Sequence, residues 1–410
     1  MKKQVFFVLA ALLLILSGCA SDEVKIEKNL NSNEPVCGLR SVDEAVTLAK
    51  SMAAARGKAS RSGGAVEVAN VAAIGSKDSR SGADTLLYAV NFADDAGYTL
   101  VSAAKYGVAV LGYTDEGSFD EEQAAENPNF SYFLDAAKDY ANGGLYPGGG
   151  GIIIDPIKPI TSIVYVKPKL EVDYGQGYPE GKLFKNEVAG CVQTACLMVL
   201  SHTESVTSIT YSAPNITKKS ETLNWAELKK HKKSEPQNWM SIFHNDCEAS
   251  TEIHDVLSRV CREIGQRNHA DDTSNPFSTG ATAEAALSTL KGLLPNSIFS
   301  ALRNLNAPYT DLLLALKGTT SVAMVFGSGD TPNDAHCWVC DGGEGTETTS
   351  KAMNSSGELV ERVERTYYNH FNWGWCGQDN GYFFAGVFDP SNPSSRSDYK
   401  NDVKFFTVSK

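Results

Sequence analysis

The feature that most limits how this chain can fold is an apolar segment that begins at a glycine. Residues 189–200 have the sequence AGCVQTACLMVL, and polar, turn-prone residues precede them. A glycine followed by small and apolar residues predicts a turn that leads into a buried helix. Cys191 would then lie at the helix N-terminus, where backbone N–H groups and the helix dipole favour a thiolate. Because most free cysteines are simply small buried apolar residues, this position alone does not make Cys191 a nucleophile.

Two later segments supply groups that a reactive thiol needs. Residues 334–343 (DAHCWVCDGG) contain His336 and predict a strand that ends in a Gly-Gly turn. Residues 369–377 (NHFNWGWCG) contain Asn372. Cysteine, then histidine, then asparagine is the order in papain-like proteases, in which the histidine follows by about 130–150 residues. Here His336 follows Cys191 by 145 residues and Asn372 follows it by 181.

Three boxes in this order resemble the streptopain-type cysteine proteases, a family with members in Bacteroides and Prevotella. The boxes are GCVQTA (190–195), HCWVCDG (336–342) and NWGWCG (372–377), and the resemblance extends over roughly residues 40–410. It implies an α+β, papain-like protease of two subdomains, preceded by an α+β pro-domain. One subdomain would be helical, with the cysteine at a helix N-terminus, and the other would carry an antiparallel sheet.

The resemblance also implies the roles of the central residues. Cys191 would be the nucleophile and His336 the proton acceptor and donor. Papain-like enzymes carry a glutamine upstream of the cysteine whose amide donates to the oxyanion, and Gln176 is the candidate here. The alternative is an ordinary loop glutamine. The sequence departs from the family at Gln193 and Cys376, where alanine and glycine are usual, and these changes could reshape the cleft.

The partner that orients the imidazole is left open by the sequence. Some group must hold His336 in its tautomer. Asn372 has the expected residue type, but Trp373 could occupy the orienting position instead. An aromatic stripe is usually core, and Trp375 is expected to be an exception that lines the cleft.

We expect no cofactor and no metal. Cys337 and Cys340 have a spacing seen in zinc sites, but a second paired motif is missing. Positions i and i+3 on a strand point to opposite faces, so a disulfide between these two cysteines is not expected either.

The N-terminus predicts export and a lipid anchor. Lys2 and Lys3 precede an apolar run over 5–16 that is too short for a confident membrane span. The sequence LSGC at 16–19 resembles a bacterial lipobox, in which cleavage occurs before Cys19 and its thiol carries lipid. Such lipid anchors a protein and does not span the membrane. We therefore expect an outer-membrane lipoprotein, surface-exposed or released after maturation; the alternative is an ordinary cleaved signal peptide.

A glycine run divides the remaining sequence. Proline followed by four glycines at 147–151 predicts an exposed boundary and a natural cleavage region. We predict a signal peptide over 1–18, a pro-domain with its tether over 19–145, a linker over 146–160 and a catalytic domain over 161–410. The family resemblance implies that the pro-domain is an intramolecular inhibitor, which a tether makes effective through high local concentration. The alternative is an adhesion or carbohydrate-binding domain.

The net charge argues against one class of function. A net charge of −12 argues against nucleic-acid binding, which needs basic patches. The sequence therefore predicts a lipid-anchored cysteine endopeptidase made as a zymogen and acting on protein or peptide substrates. Two alternatives stay open: a catalytically silent binding module with a protease-like fold, and an acyltransferase that uses the same cysteine and histidine.

Overall fold

The computed structural model describes most of the chain from residue 39 onward. The described residues are 39–57, 66–75, 85–105, 107–143, 153–154, 158–213, 216–231, 251–273, 279–305, 310–327, 336–353, 358–388 and 403–410. The predicted signal peptide, Cys19, most of the predicted linker and the loop before His336 lie outside them. Leu39–Lys410 forms one compact unit. None of the helices in the described ranges has the length and apolar character to cross a membrane.

The described ranges contain both helices and strands. The helices are α1 (Val42–Ala55), α2 (Glu121–Glu126), α3 (Pro128–Gly143), α4 (Cys191–Thr203), α5 (Trp225–Leu228), α6 (Thr251–Arg267), α7 (Ala283–Leu293) and α8 (Asp311–Leu316). The strands are β1 (Val68–Gly75), β2 (Thr85–Phe92), β3 (Tyr98–Ser102), β4 (Val110–Thr114), β5 (Ile153–Ile154), β6 (Thr161–Val166), β7 (Ser208–Ala213), β8 (Ile216–Thr222), β9 (Ile298–Phe299), β10 (Arg303–Asn304), β11 (Val322–Gly327), β12 (His336–Met353), β13 (Leu359–Asn372), β14 (Gly381–Phe384) and β15 (Lys404–Ser409).

One antiparallel sheet runs through the molecule. Its order is β1-β2-β3-β4-β14-β13-β12-β11-β15-β10, with β5 and β6 paired to β12 and β9 paired to β15. Strands β4 and β14 pair with Tyr113 opposite Tyr382. The sheet therefore continues from the region before the glycine run, which we call the N-terminal region (39–143), into the C-terminal region (158–410).

Local signals explain the elements of the N-terminal region. Ser41 followed three residues later by Glu44 predicts a capping box at the start of α1. The prediction is confirmed, because Ser41 Oγ accepts from the Glu44 N–H at 3.2 Å and Glu44 Oε2 accepts from the Ser41 N–H at 2.7 Å. Such a box satisfies two of the unpaired N–H groups at a helix start. Two strand-like runs at 86–92 and 98–102, separated by the turn-prone residues 93–97, predict a hairpin. It is confirmed as β2 and β3. Helix α1 buries its apolar face, including Leu48 and Met52.

Strand β12 separates two cores. Trp338 and Cys340 pack into a core shared with the N-terminal region, whereas Cys337 and Val339 pack against the buried helix α4 on the other side. Alternate residues of a strand point to opposite faces, as this division requires. The predicted separation of Cys337 and Cys340 is confirmed, and both thiols are free.

The predicted turn at Gly342–Gly343 is wrong. Strand β12 continues through both glycines to Met353, with a register irregularity between Cys340 and Gly342. The glycines serve close packing instead. A side chain at 342 would come within 2.7 Å of the Val166 carbonyl oxygen, and one at 343 within 2.6 Å of the Tyr368 carbonyl oxygen. Glycine in a strand often marks such a close approach of another backbone.

Candidate active site

Cys191 is the first residue of α4, as the sequence predicts. Gly190 is the N-cap, with φ +84°, and a side chain there would collide with the Thr279 carbonyl group. Cys191 itself is partly exposed. Burial of its sulfur raises the pKa of the Cys191 thiol to about 11, against hydrogen bonds with the backbone of Cys337, Val192 and Cys191. The thiol is therefore protonated at neutral pH in this state.

His336 is the first residue of β12 and directly precedes Cys337, whose backbone contacts the Cys191 thiol. Its Nδ1 lies 3.3 Å from Oδ1 of Asn129. Its ring centroid lies 4.9 Å from that of Tyr132. Asn129 and Tyr132 both belong to α3, so the imidazole is engaged by the N-terminal region.

Asn129 is a functional candidate that the sequence did not reveal. Its side chain is fully buried, and Nδ2 donates to the carbonyl oxygens of Cys337 at 2.9 Å and Trp373 at 2.6 Å. These two acceptors fix the orientation of the amide, so Oδ1 faces His336 and accepts from its Nδ1–H. The apolar pattern of residues 129–140 predicts a short helix there. It gives no sign of a role for Asn129, because a partner more than 200 positions away leaves no local signal.

Gln176 lies beside the turn that precedes the nucleophile. Its backbone carbonyl accepts from the N–H of Ala189 at 2.7 Å. Its side chain is buried, and Nε2 has no hydrogen-bond partner within the described ranges. A buried amide donor without a partner is unusual. That this amide donates to the oxyanion stays a prediction.

Asn372 is engaged away from the imidazole. Its Nδ2 donates to the Val172 carbonyl oxygen and to Asp173 Oδ1, each at 3.1 Å. Its Oδ1 accepts from the Gly374 N–H at 3.1 Å. These contacts join the third box to the segment that leads to Gln176.

Trp373 and Trp375 are both buried. The indole N–H of Trp373 donates to the Asp379 carbonyl oxygen at 2.8 Å. Its ring packs against Phe130 of the N-terminal region, with 5.8 Å between the centroids. Which of Asn372 and Trp373 orients His336 during catalysis stays a prediction.

Metal-ligating groups do not cluster in the described ranges, where no set of three or more His, Cys, Asp or Glu residues could hold an ion. The thiols there differ in access instead. Cys191 is partly exposed, whereas the other described cysteines are buried: Cys196, Cys261, Cys337, Cys340 and Cys376.

Two regions of the chain match models of known protein families. Residues 171–383 match the model of the peptidase C10 family, and residues 41–141 match that of the Spi protease inhibitor. These matches describe a cysteine-type endopeptidase preceded by an inhibitor-like region. The chain belongs to the peptidase C10 family, which is the streptopain family predicted from the three boxes.

Two solved structures are similar to the chain. A fragment of prointerpain A from Prevotella intermedia has a TM-score of 0.52 and 18% identity, covering 83% of this chain and 98% of that one. The active interpain A cysteine protease of the same organism has a TM-score of 0.37 and 20% identity, covering 60% of this chain and 95% of that one. The first likeness confirms the predicted mixed α and β fold of a papain-like protease with its pro-region. No curated protein matches the sequence.

Proposed function

We propose that the chain is the precursor of an endopeptidase in which Cys191 and His336 hydrolyse peptide bonds, and that residues 39–143 keep it inactive. The observation that carries this proposal is the contact of Asn129 and Tyr132 with His336. An inhibitor-like region whose buried amide binds the imidazole next to a helix-terminal thiol is suited to hold a thiol protease latent.

The chemistry would use the pair as thiolate and imidazolium. Cys191 attacks the scissile carbonyl, and His336 gives its proton to the leaving amine and later takes one from water. The oxyanion accepts from the Cys191 N–H and from the Gln176 amide. Loss of one such donor commonly lowers kcat by about 10²–10³.

The precursor would be latent because the Cys191 thiol and the His336 imidazole do not form a thiolate–imidazolium pair in it. The Nδ1–H of His336 donates to Asn129, so the imidazole is bound to the N-terminal region. The Cys191 thiol, whose pKa burial raises to about 11, stays protonated. Departure of α3 would free the His336 imidazole to pair with the sulfur, and a neighbouring imidazolium favours the thiolate.

The test uses the difference in solvent exposure between Cys191 and the other described cysteines. Matured protein is incubated with casein and, separately, with an irreversible thiol-directed protease inhibitor, followed by peptide mass analysis. We expect cleaved casein and a label at Cys191, and neither in Cys191→Ala. Unlabelled Cys191 together with intact casein would reject the proposal. Gln176→Ala should lose turnover and keep the label.

We also propose the boundaries and the anchor predicted from the sequence: a pro-domain over 19–145, a linker over 146–160, and lipid on Cys19 in the outer membrane. The glycine run and the LSGC box support them. N-terminal sequencing of the matured form locates the cut. Fatty-acid labelling of the precursor and of Cys19→Ser tests the anchor, and equal labelling of both would refute it.

A further inference from the structure

A buried carboxylate and a buried imidazole lie under the loop that carries Gln176. Glu180 is fully buried and His231 is 1% exposed, with 3.4 Å between Glu180 Oε1 and His231 Nε2. Neither carboxylate oxygen has a hydrogen bond within the described ranges. Neither residue takes part in the proposed peptide hydrolysis.

A pair of this kind is a poor stabiliser in itself. Removing two ionisable groups from water costs several kcal/mol, and their mutual attraction roughly offsets this cost. Replacing a buried pair with apolar residues is often neutral or stabilising. Stability alone therefore does not explain why Glu180 and His231 are buried together, and their contacts with neighbouring segments suggest another role.

His231 contacts the Gln176 loop on both sides of Gln176. The ring of Tyr174, two residues before Gln176, stacks on His231 with 5.9 Å between centroids and 17° between planes. Glu180, four residues after Gln176, meets the Nε2 of the same imidazole. One side chain thus holds both ends of a seven-residue segment.

Helix α6 also contacts the segment 174–180. Ser258 Oγ donates to the Pro179 carbonyl oxygen at 2.6 Å. Tyr178 OH lies 3.2 Å from His254 Nδ1. Because the Gln176 carbonyl is also tied to the turn before the nucleophile, the position of its amide depends on where this segment sits.

We propose that Glu180 and His231 are positioning residues for the oxyanion site: they fix the loop on both sides of Gln176 and so aim its amide at the developing oxyanion. This inference rests on the proposed function. Misplacement by about 1 Å can cost on the order of 10²-fold in rate, so a loop released at one end would lower kcat without removing any reacting group.

Two reactions of the same thiol separate positioning from general damage. Peptide hydrolysis passes through an oxyanion and needs Gln176. Alkylation by iodoacetamide does not, because the sulfur displaces iodide at a saturated carbon. A positioning role therefore predicts loss of turnover with alkylation kept.

The experiment compares variants of the matured enzyme. Glu180→Gln removes the charge, and His231→Phe keeps the ring that stacks on Tyr174. The matched control is Glu263→Gln, another buried glutamate, which bonds to Arg267 of its own helix. For each variant we measure kcat and KM on a peptide amide and the alkylation rate of the thiol.

We expect Glu180→Gln and His231→Phe to lower kcat about tenfold to 100-fold, with KM and the alkylation rate within about twofold of wild type. Glu263→Gln should leave all three unchanged. Glu180→Gln placed on Gln176→Ala should cost little more than Gln176→Ala alone, because coupled residues are non-additive. If Glu180→Gln does not fold, Glu180→Asp, which keeps the charge and moves it by one methylene, carries the same comparison.

Four results would count against the positioning role or against the proposed function. Additive losses in the double variant, or equal losses of turnover and alkylation, would overturn the positioning role. An active wild type with a fully active Glu180→Gln would overturn it too and leave the proposed function intact. A wild type that neither hydrolyses peptide nor reacts at Cys191 would refute the proposed function itself.

Discussion

Substitution of Asn129 by alanine in the full-length precursor should release the active site. This change removes two hydrogen bonds to the backbone of the C-terminal region, at Cys337 and Trp373, and the contact with His336. It leaves the β4–β14 pairing in place. The precursor should still fold and still dock its N-terminal region, but less tightly.

The size of the effect follows from the lost bonds. Each neutral hydrogen bond contributes about 1 kcal/mol net, and a buried carbonyl left unpaired costs about 1–3 kcal/mol. Since Asn129 is fully buried, water cannot easily replace it. We expect docking to weaken by about 2–4 kcal/mol, which raises the undocked population about 30- to 700-fold.

The alkylation rate of Cys191 in the unprocessed precursor measures that population. The docked thiol has a pKa of about 11, whereas the undocked thiol can pair with a free imidazole. We expect Asn129→Ala to be alkylated at least about 30-fold faster and to process itself sooner. Ser131→Ala, on the same helix, is the control and should stay within about twofold. A folded Asn129→Ala precursor with wild-type alkylation would show that Asn129 does not maintain latency.

Three further changes test other contacts. Asp379 accepts from Tyr98 of the N-terminal region at 2.8 Å. Burial raises the pKa of the Asp379 carboxyl to about 6 from an ordinary 3.8. Docking of the N-terminal region therefore takes up a proton and should weaken as pH rises from about 4 to 6. Asp379→Asn should remove this dependence from the precursor's alkylation rate, and a flat wild-type profile would contradict it. Arg56 of the N-terminal region bonds Glu344 at 2.9 Å, with Glu344 buried and the Arg56 side chain 9% exposed. Arg56→Met should therefore weaken docking by about 3–5 kcal/mol, seen as faster alkylation than wild type. Gln193 Nε2 donates to the turn before the thiol at 2.8 Å, and Gln193→Ala should lower unfolding stability by about 1–3 kcal/mol in a denaturant titration; an unchanged midpoint would argue against a bracing role.

The parts of the fold that the sequence predicts are those with local causes. Ser41 and Glu44 are three residues apart, so the capping box of α1 is visible in the sequence and confirmed in the structure. The helix start at Cys191 is equally local, because Gly190 and the apolar run that follows are enough to indicate it.

The parts that the sequence misses depend on distant neighbours. The two glycines of β12 are typical of a turn, and only the backbones that lie against them show why a strand needs them. Asn129 and His336 are 207 residues apart, and neither residue has a neighbour that indicates the other. Glu180 and His231 are individually ordinary polar residues, and their burial together becomes apparent only when the helices are packed.

The continuous sheet changes what release of the N-terminal region entails. Strand β4 pairs with β14, and Phe133 of α3 packs against Phe383 of β14 with 4.7 Å between ring centroids. The two regions therefore share a core, and undocking exposes apolar surface and an unpaired strand edge, both of which oppose it. Loss of the Asn129 contacts enlarges a rare undocked population without making it dominant. Because this shared core holds the latent state far more firmly than one amide can, we expect full activity to require a cut between the two regions that makes their separation irreversible.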